Sequence, residues 1–203
     1  MRNNRVLFLV EIAIFSAMAL LLDIIPFLSF KLWAQGGSIS FAMIPIFLVA
    51  LRWGVKGGVL AGLLFGFYQI LTGAYILVPI QAVLDYIVAF GVLGLAGIFA
   101  RTAKNALQKK HMTSFVTYVS LGVFLGSLLR FIAHFYAGIA FFSEMAGDQT
   151  VWVYSLVYNG SYMLPGFVLS AIVLCMLFYK QPRLLLGTGS SNMEDQKLKH
   201  HAN

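Results

Sequence analysis

Charge is scarce in this chain: only 10% of its 203 residues are Asp, Glu, Lys or Arg, against about 25% in an ordinary soluble domain. Long apolar runs take their place, and hydrophobic residues make up 60% of the sequence. A water-soluble fold of this size could not cover such runs, so a bilayer is the solvent they imply. Cysteine is nearly absent. The single Cys175 excludes an intramolecular disulfide and a cysteine-built metal site. Signatures of catalysis are missing as well: there is no nucleophile elbow, no paired carboxylates, no H-E-x-x-H and no Walker motif. The chain reads as a non-enzyme with no metal and no cofactor. It cannot hydrolyse ATP itself, so uphill transport would draw on an ion gradient or a partner ATPase. The net charge of +7 does not signal nucleic acid, because the basic residues sit between apolar runs rather than on one amphipathic face.

The runs themselves predict an all-α integral membrane bundle of six transmembrane helices, at about residues 6–25, 39–53, 55–71, 79–100, 113–141 and 152–179. Residues 1–180 form one membrane domain, and 181–203 a polar, disordered cytoplasmic tail. His200 and His201 lie in that tail, a poor place for a metal. The N-terminal run is long enough to span and lacks a small-residue cleavage pattern before Pro26, so it reads as the first helix rather than a signal peptide. A loop with Lys31, Trp33, Gln35 and the Gly36-Gly37 pair follows it, the glycines permitting backbone angles a helix would not. Pro45 falls inside the short second helix, a sign of irregular structure around a cavity. Gly54, Gly58, Gly62 and Gly66 recur every fourth residue, a smooth stripe for close helix packing. A basic linker carries Arg101, Lys104, Lys109 and Lys110, and Pro165-Gly166 is placed to bend the sixth helix.

Loop charges set the orientation. The termini and even-numbered loops hold twelve Lys and Arg, including Arg52, Lys56 and Arg101, whereas the opposite side holds only Lys31 beside the acids Glu144 and Asp148. By the positive-inside rule both termini are cytoplasmic.

Charged groups inside a bilayer need a partner or a purpose. Glu11, near Arg5 and the inner interface, reads as structural, and Asp23, beside Pro26, is explained as well by interfacial solvation as by function. Asp85 lies roughly 9 Å into a helix entered from outside, at 1.5 Å per residue. Arg130 and His134, four apart, share one helix face; His134 sits roughly 10 Å below the outer end. Tyr154 and Asn159 fall in the first turns of the sixth helix, and Trp33 in the first outer loop. A polar cluster in the outer half of the membrane results. An Asp85–Arg130 ion pair holding helices together is the plain alternative for any one residue. With Tyr86, Tyr136, Phe142, Trp152 and Tyr158 nearby, the set favours a ligand pocket. A carboxylate among aromatic rings suits an organic cation, while Asn and His would orient a heteroaromatic ring.

Size, topology and this constellation resemble the thiamine-specific substrate-binding (S) component of energy-coupling factor (ECF) transporters, over about the first 180 residues. Ala13-Ile14-Phe15-Ser16-Ala17 resembles the small-x-x-x-small motif by which Ala13 and Ala17 would dock on a transmembrane coupling subunit. The Trp33 loop resembles the lid over the ligand. Asp85-Tyr86, Arg130 and His134 stand where that family has an acid–tyrosine pair, a basic residue and a histidine; Gly138 and Phe142 continue that helix, Phe142 where an aromatic stacks on the ligand. Tyr154 and Asn159 match the tyrosine and asparagine at the pyrimidine end. The chain departs from the family pattern at Asp85, Arg130 and Phe142, where glutamate, lysine and tryptophan are usual. The resemblance implies capture of thiamine from outside a bacterial plasma membrane, followed by reorientation in the bilayer while docked to the coupling subunit and two cytoplasmic ATPases. Two other readings stay open: an S component for another vitamin such as riboflavin or biotin, and a membrane scaffold that binds no small molecule.

Overall fold

The computed structural model describes residues 2–33 and 36–187, with side chains from residue 4. Gln35, His200, His201 and the tail beyond residue 187 lie outside the described residues. The chain order is α1 (Arg2–Ile24), β1 (Ser29–Trp33), β2 (Gly36–Ser40), α2 (Met43–Leu71), α3 (Pro79–Gln108), α4 (Met112–Phe141), α5 (Val151–Lys180) and a short α6 (Arg183–Leu186). The protein is mostly helical, and five of these helices are long and apolar enough to cross a membrane.

The element α2 hides a reversal. Gly54 has φ 77 and ψ −171, outside any helix, a left-handed φ that only glycine adopts without strain. A side chain on Gly58 would collide with Ala50, eight residues earlier, although along an unbroken helix the two would stand about 12 Å apart. The chain therefore folds back at Gly54. Residues 43–53 and 55–71 lie on either side of that turn. Ile39 and Ser40, expected to open the second helix, belong to β2, and Pro45 sits in the first turn of α2, where a missing N–H disturbs nothing.

The rest of the glycine stripe works as expected. Side chains on Gly62 and Gly66 would overlap the carbonyls of Phe90 and Tyr86, and one on Gly58 the Cα of Gly94. Bare glycine lets the second half of α2 lie directly on the backbone of α3, in the manner of small-residue packing between membrane helices. Phe47, Leu51, Phe65 and Leu93 fill the core around this contact, with Phe115 and Phe178 completing it.

Three expectations about boundaries need correction. The loop after α1 is a two-stranded antiparallel hairpin, with Phe30 opposite Ile39 and Lys31 opposite Ser38. The "basic linker" is largely helix: α3 continues to Gln108 because Ala100, Ala103, Ala106 and Leu107 bury one face while Arg101 stays exposed. The packed body also extends past residue 180, since Leu185 of α6 is fully buried.

Glu11 is structural, but its partner is not Arg5. It accepts from Arg52 Nη2 and Trp53 Nε1, each at 2.6 Å. Arg52 Nη1 also donates to the carbonyls of Arg183 and Leu184. One guanidinium thus ties α1, the Gly54 turn and α6 together. Further along its length, α1 rests on α2 through Ile12, Ser16 and Ala19, with Ser16 Oγ donating to the Ile12 and Ala61 carbonyls. The opposite face of α1, including Ala13 and Ala17, is exposed.

Candidate functional site

Near the start of α3 the winding changes. Val83–Val88 is a π-helical turn, rare elsewhere and frequent at functional sites. It sets the consecutive residues Asp85 and Tyr86 both on the wall of a cavity of about 400 Å³, a size suited to a vitamin-sized ligand. Arg130, His134 and Gly138 line it from one stripe of α4 with Phe142 just past its end, and Tyr154, Ser155, Tyr158, Asn159 and Tyr162 from α5. The hairpin at Gly36–Ser40 and the loop at Gly73–Tyr75 border it from the α2 side.

The polar wall is one connected network. Asp85 Oδ1 lies 2.8 Å from His134 Nδ1, and its Oδ2 accepts from Gln81 Nε2 at 2.6 Å. Arg130 Nε donates weakly to His134 Nε2 at 3.4 Å, which leaves the imidazole proton on Nδ1, facing the carboxylate. Asp85 and Arg130 therefore meet through His134 rather than as a direct ion pair. Arg130 is also held by Met43 Sδ at 3.0 Å and lies 4.7 Å over the Phe90 ring, a cation–π contact that offsets part of its burial. Gln81 extends the network to the loop, accepting from Leu77 N and donating to the Tyr75 carbonyl. Tyr86 OH bonds the same Tyr75 backbone.

Asn159 is buried and heavily engaged. Its Nδ2 donates to Ser155 O at 2.9 Å and Ser155 Oγ at 3.2 Å, and its Oδ1 accepts from Tyr162 OH at 2.7 Å. That leaves one Oδ1 lone pair for a ligand. A side chain on Gly138 would collide with Ser155 Oγ, so glycine there permits the α4–α5 approach that fixes Asn159. Tyr154 OH has no hydrogen-bond partner among the described residues, while its ring lies 5.7 Å from that of Tyr158. Phe142 and Tyr75 approach each other at 6.2 Å between centroids.

Eight of the nine expected site residues line this cavity: Asp85, Tyr86, Arg130, His134, Gly138, Phe142, Tyr154 and Asn159. Trp33 stands one ring further out. Its ring lies 5.4 Å from that of Tyr158, tilted by 32°; it donates to Ser161 Oγ at 3.0 Å and borders a separate pocket of about 180 Å³. Tyr136 and Trp152, expected nearby, point away: they are 62% and 54% exposed. Sequence reasoning missed Gln81, Tyr162 and the loop residue Tyr75, and undervalued Asp23, which borders the cavity with Gln69. Gln81 could have been found, since it lies one helical turn before Asp85.

These features define a helical membrane protein that encloses a polar and aromatic site for a small organic ligand. The chain belongs to the thiamine transporter protein family (Thia_YuaJ), whose model matches residues 9–186. It is 47% identical to the thiamine transporter ThiT of Bacillus subtilis over 188 residues, covering 91% of this chain and 96% of that protein. Against the ThiT of Lacticaseibacillus paracasei the identity is 28%, covering 91% and 93%. A solved structure of ThiT from Listeria monocytogenes superposes with a TM-score of 0.84 at 32% identity, covering 91% of this chain and 100% of the other. The family is one of transporters, not enzymes.

Proposed function

We propose that this protein is the high-affinity thiamine-binding S component of an ATP-driven ECF-type vitamin transporter. The observation that carries the reading is the cavity itself: a carboxylate–imidazole–guanidinium network faces tyrosine and phenylalanine rings across a space of vitamin size, inside a chain of thiamine transporter family. Asp85, His134 and Asn159 are the groups that orient the aminopyrimidine, with Tyr86 and Tyr154 beside them. Phe142 and Tyr158 offer faces to the cationic ring. Gly138 sets the spacing, and Trp33 closes the outer side from above Tyr158. Arg130 orients His134.

Counting the two halves of α2 separately gives six passes, and the fold-back at Gly54 supports that count. Lys and Arg concentrate at both ends of the chain and in the loops on their side, so both termini face the cytoplasm in a multi-pass arrangement in the cell membrane. With no ATPase of its own, the chain works with a transmembrane coupling subunit and two cytoplasmic ATPases. The exposed Ala13–Ala17 face of α1 is where the coupling subunit docks.

Uptake of labelled thiamine by cells that lack their own thiamine transport tests the whole reading. Cells expressing this chain with a coupling subunit and its ATPases should accumulate thiamine. Cells given the chain without those partners should bind it at the surface without accumulating it. Equal accumulation with and without the ATPases would overturn the ECF assignment.

A further inference from the structure

The charges around the cavity do not all find partners. Asp85 reaches Arg130 only through His134, and the Arg130 guanidinium feels the charge of Asp23 as well as that of Asp85. Asp23 is different. It borders the same cavity from the last turn of α1, where Oδ2 accepts from Gln69 Nε2 at 2.6 Å and Oδ1 from Ser29 Oγ at 3.2 Å. Both donors are neutral. Among the described residues the ion pairs are Arg52–Glu11 and His134–Asp85, so no cationic group stands within 4.0 Å of Asp23. Lys31 borders the cavity too, but from the exposed face of β1, where water screens it. A carboxylate offers about four acceptor positions, and protein donors occupy only two of them here. Two carboxylates thus face one buried guanidinium on the cavity wall, and Asp23 is the one whose contacts are all with neutral groups.

We propose that Asp23 is the counter-charge for the cationic ring of the ligand and so determines the preference for a cation. Asp85 then serves mainly to orient the ligand through its hydrogen-bonded network, and Asp23 supplies the negative charge in excess of Arg130. The proposal rests on the thiamine reading, in which the ligand carries one permanently charged ring.

The test compares thiamine with an uncharged analogue in which a thiophene replaces the thiazolium, by calorimetric titration of the purified full chain. The quantity read is the ratio of the two affinities. Because both ligands meet the same folded fraction, partial misfolding cancels. Asp23→Asn should lower the preference for the cation about tenfold, as for one lost charge-assisted contact, and Asp23→Glu should restore most of it. Gln69→Ala removes a neutral donor but keeps the charge, so it should retain the preference. An unchanged ratio in Asp23→Asn would overturn the proposal, as would loss of the preference in Gln69→Ala. Wild-type protein that binds neither ligand would instead bring down the thiamine reading.

Discussion

Replacing Asp85 by asparagine probes the network at its centre. The carboxylate accepts at both oxygens, from Gln81 at 2.6 Å and opposite His134 Nδ1 at 2.8 Å. An amide keeps one acceptor and turns an NH₂ toward the other donor. Rotating Gln81 to accept that NH₂ would give up its contacts with Leu77 N and the Tyr75 carbonyl. Moving the imidazole proton to Nε2 would set it against the Arg130 Nε–H. No rearrangement keeps every contact, so one charge-assisted hydrogen bond, about 1.5–3 kcal/mol, is lost. At about 1.4 kcal/mol per factor of ten, thiamine affinity should fall roughly ten- to a hundredfold. Titration of the purified variant beside the wild type measures it. The loss should fall on thiamine and on an uncharged analogue alike, because what changes is orientation. An affinity equal to wild type would refute the reasoning and return Asp85 to a purely structural role.

Other perturbations probe separate parts of the molecule. Bulky residues at Ala13 and Ala17, both exposed on α1, should leave thiamine binding intact and abolish uptake; unimpaired uptake removes α1 from the docking surface. Gly66→Val places a side chain on the Tyr86 carbonyl, which should destabilise the fold by about 1–3 kcal/mol. A thermal unfolding midpoint unchanged in detergent would contradict that close packing. Trp33, packed against Tyr158 beside the cavity, should report ligand through its fluorescence, and Trp33→Phe should lose most of that signal. A full signal in Trp33→Phe would assign the change to Trp53 or Trp152.

Much of this was legible in the residues because depth and periodicity are strong signals in a membrane protein. Apolar runs predicted the long apolar helices, and four-residue spacing put Arg130 and His134 on one stripe of α4. The glycine stripe announced the α2–α3 contact. Other features depend on tertiary context. Nothing local distinguishes Gly54, which turns the chain, from Gly58, which packs against it. The hairpin at Ser29–Ser40 is short and partly polar, so it reads as loop. The π-turn at Val83–Val88 leaves no compositional trace, yet it brings Asp85 and Tyr86 to one wall. Asp23 looked like an interfacial acid because its partners, Gln69 and Ser29, come from other elements.

The most direct test of the central claim is a calorimetric titration of the purified chain with thiamine, with riboflavin and biotin as controls. One thiamine should bind per chain, with heat that saturates, and the other two vitamins should give none. A flat thiamine titration beside a saturating response to riboflavin or biotin would contradict the account.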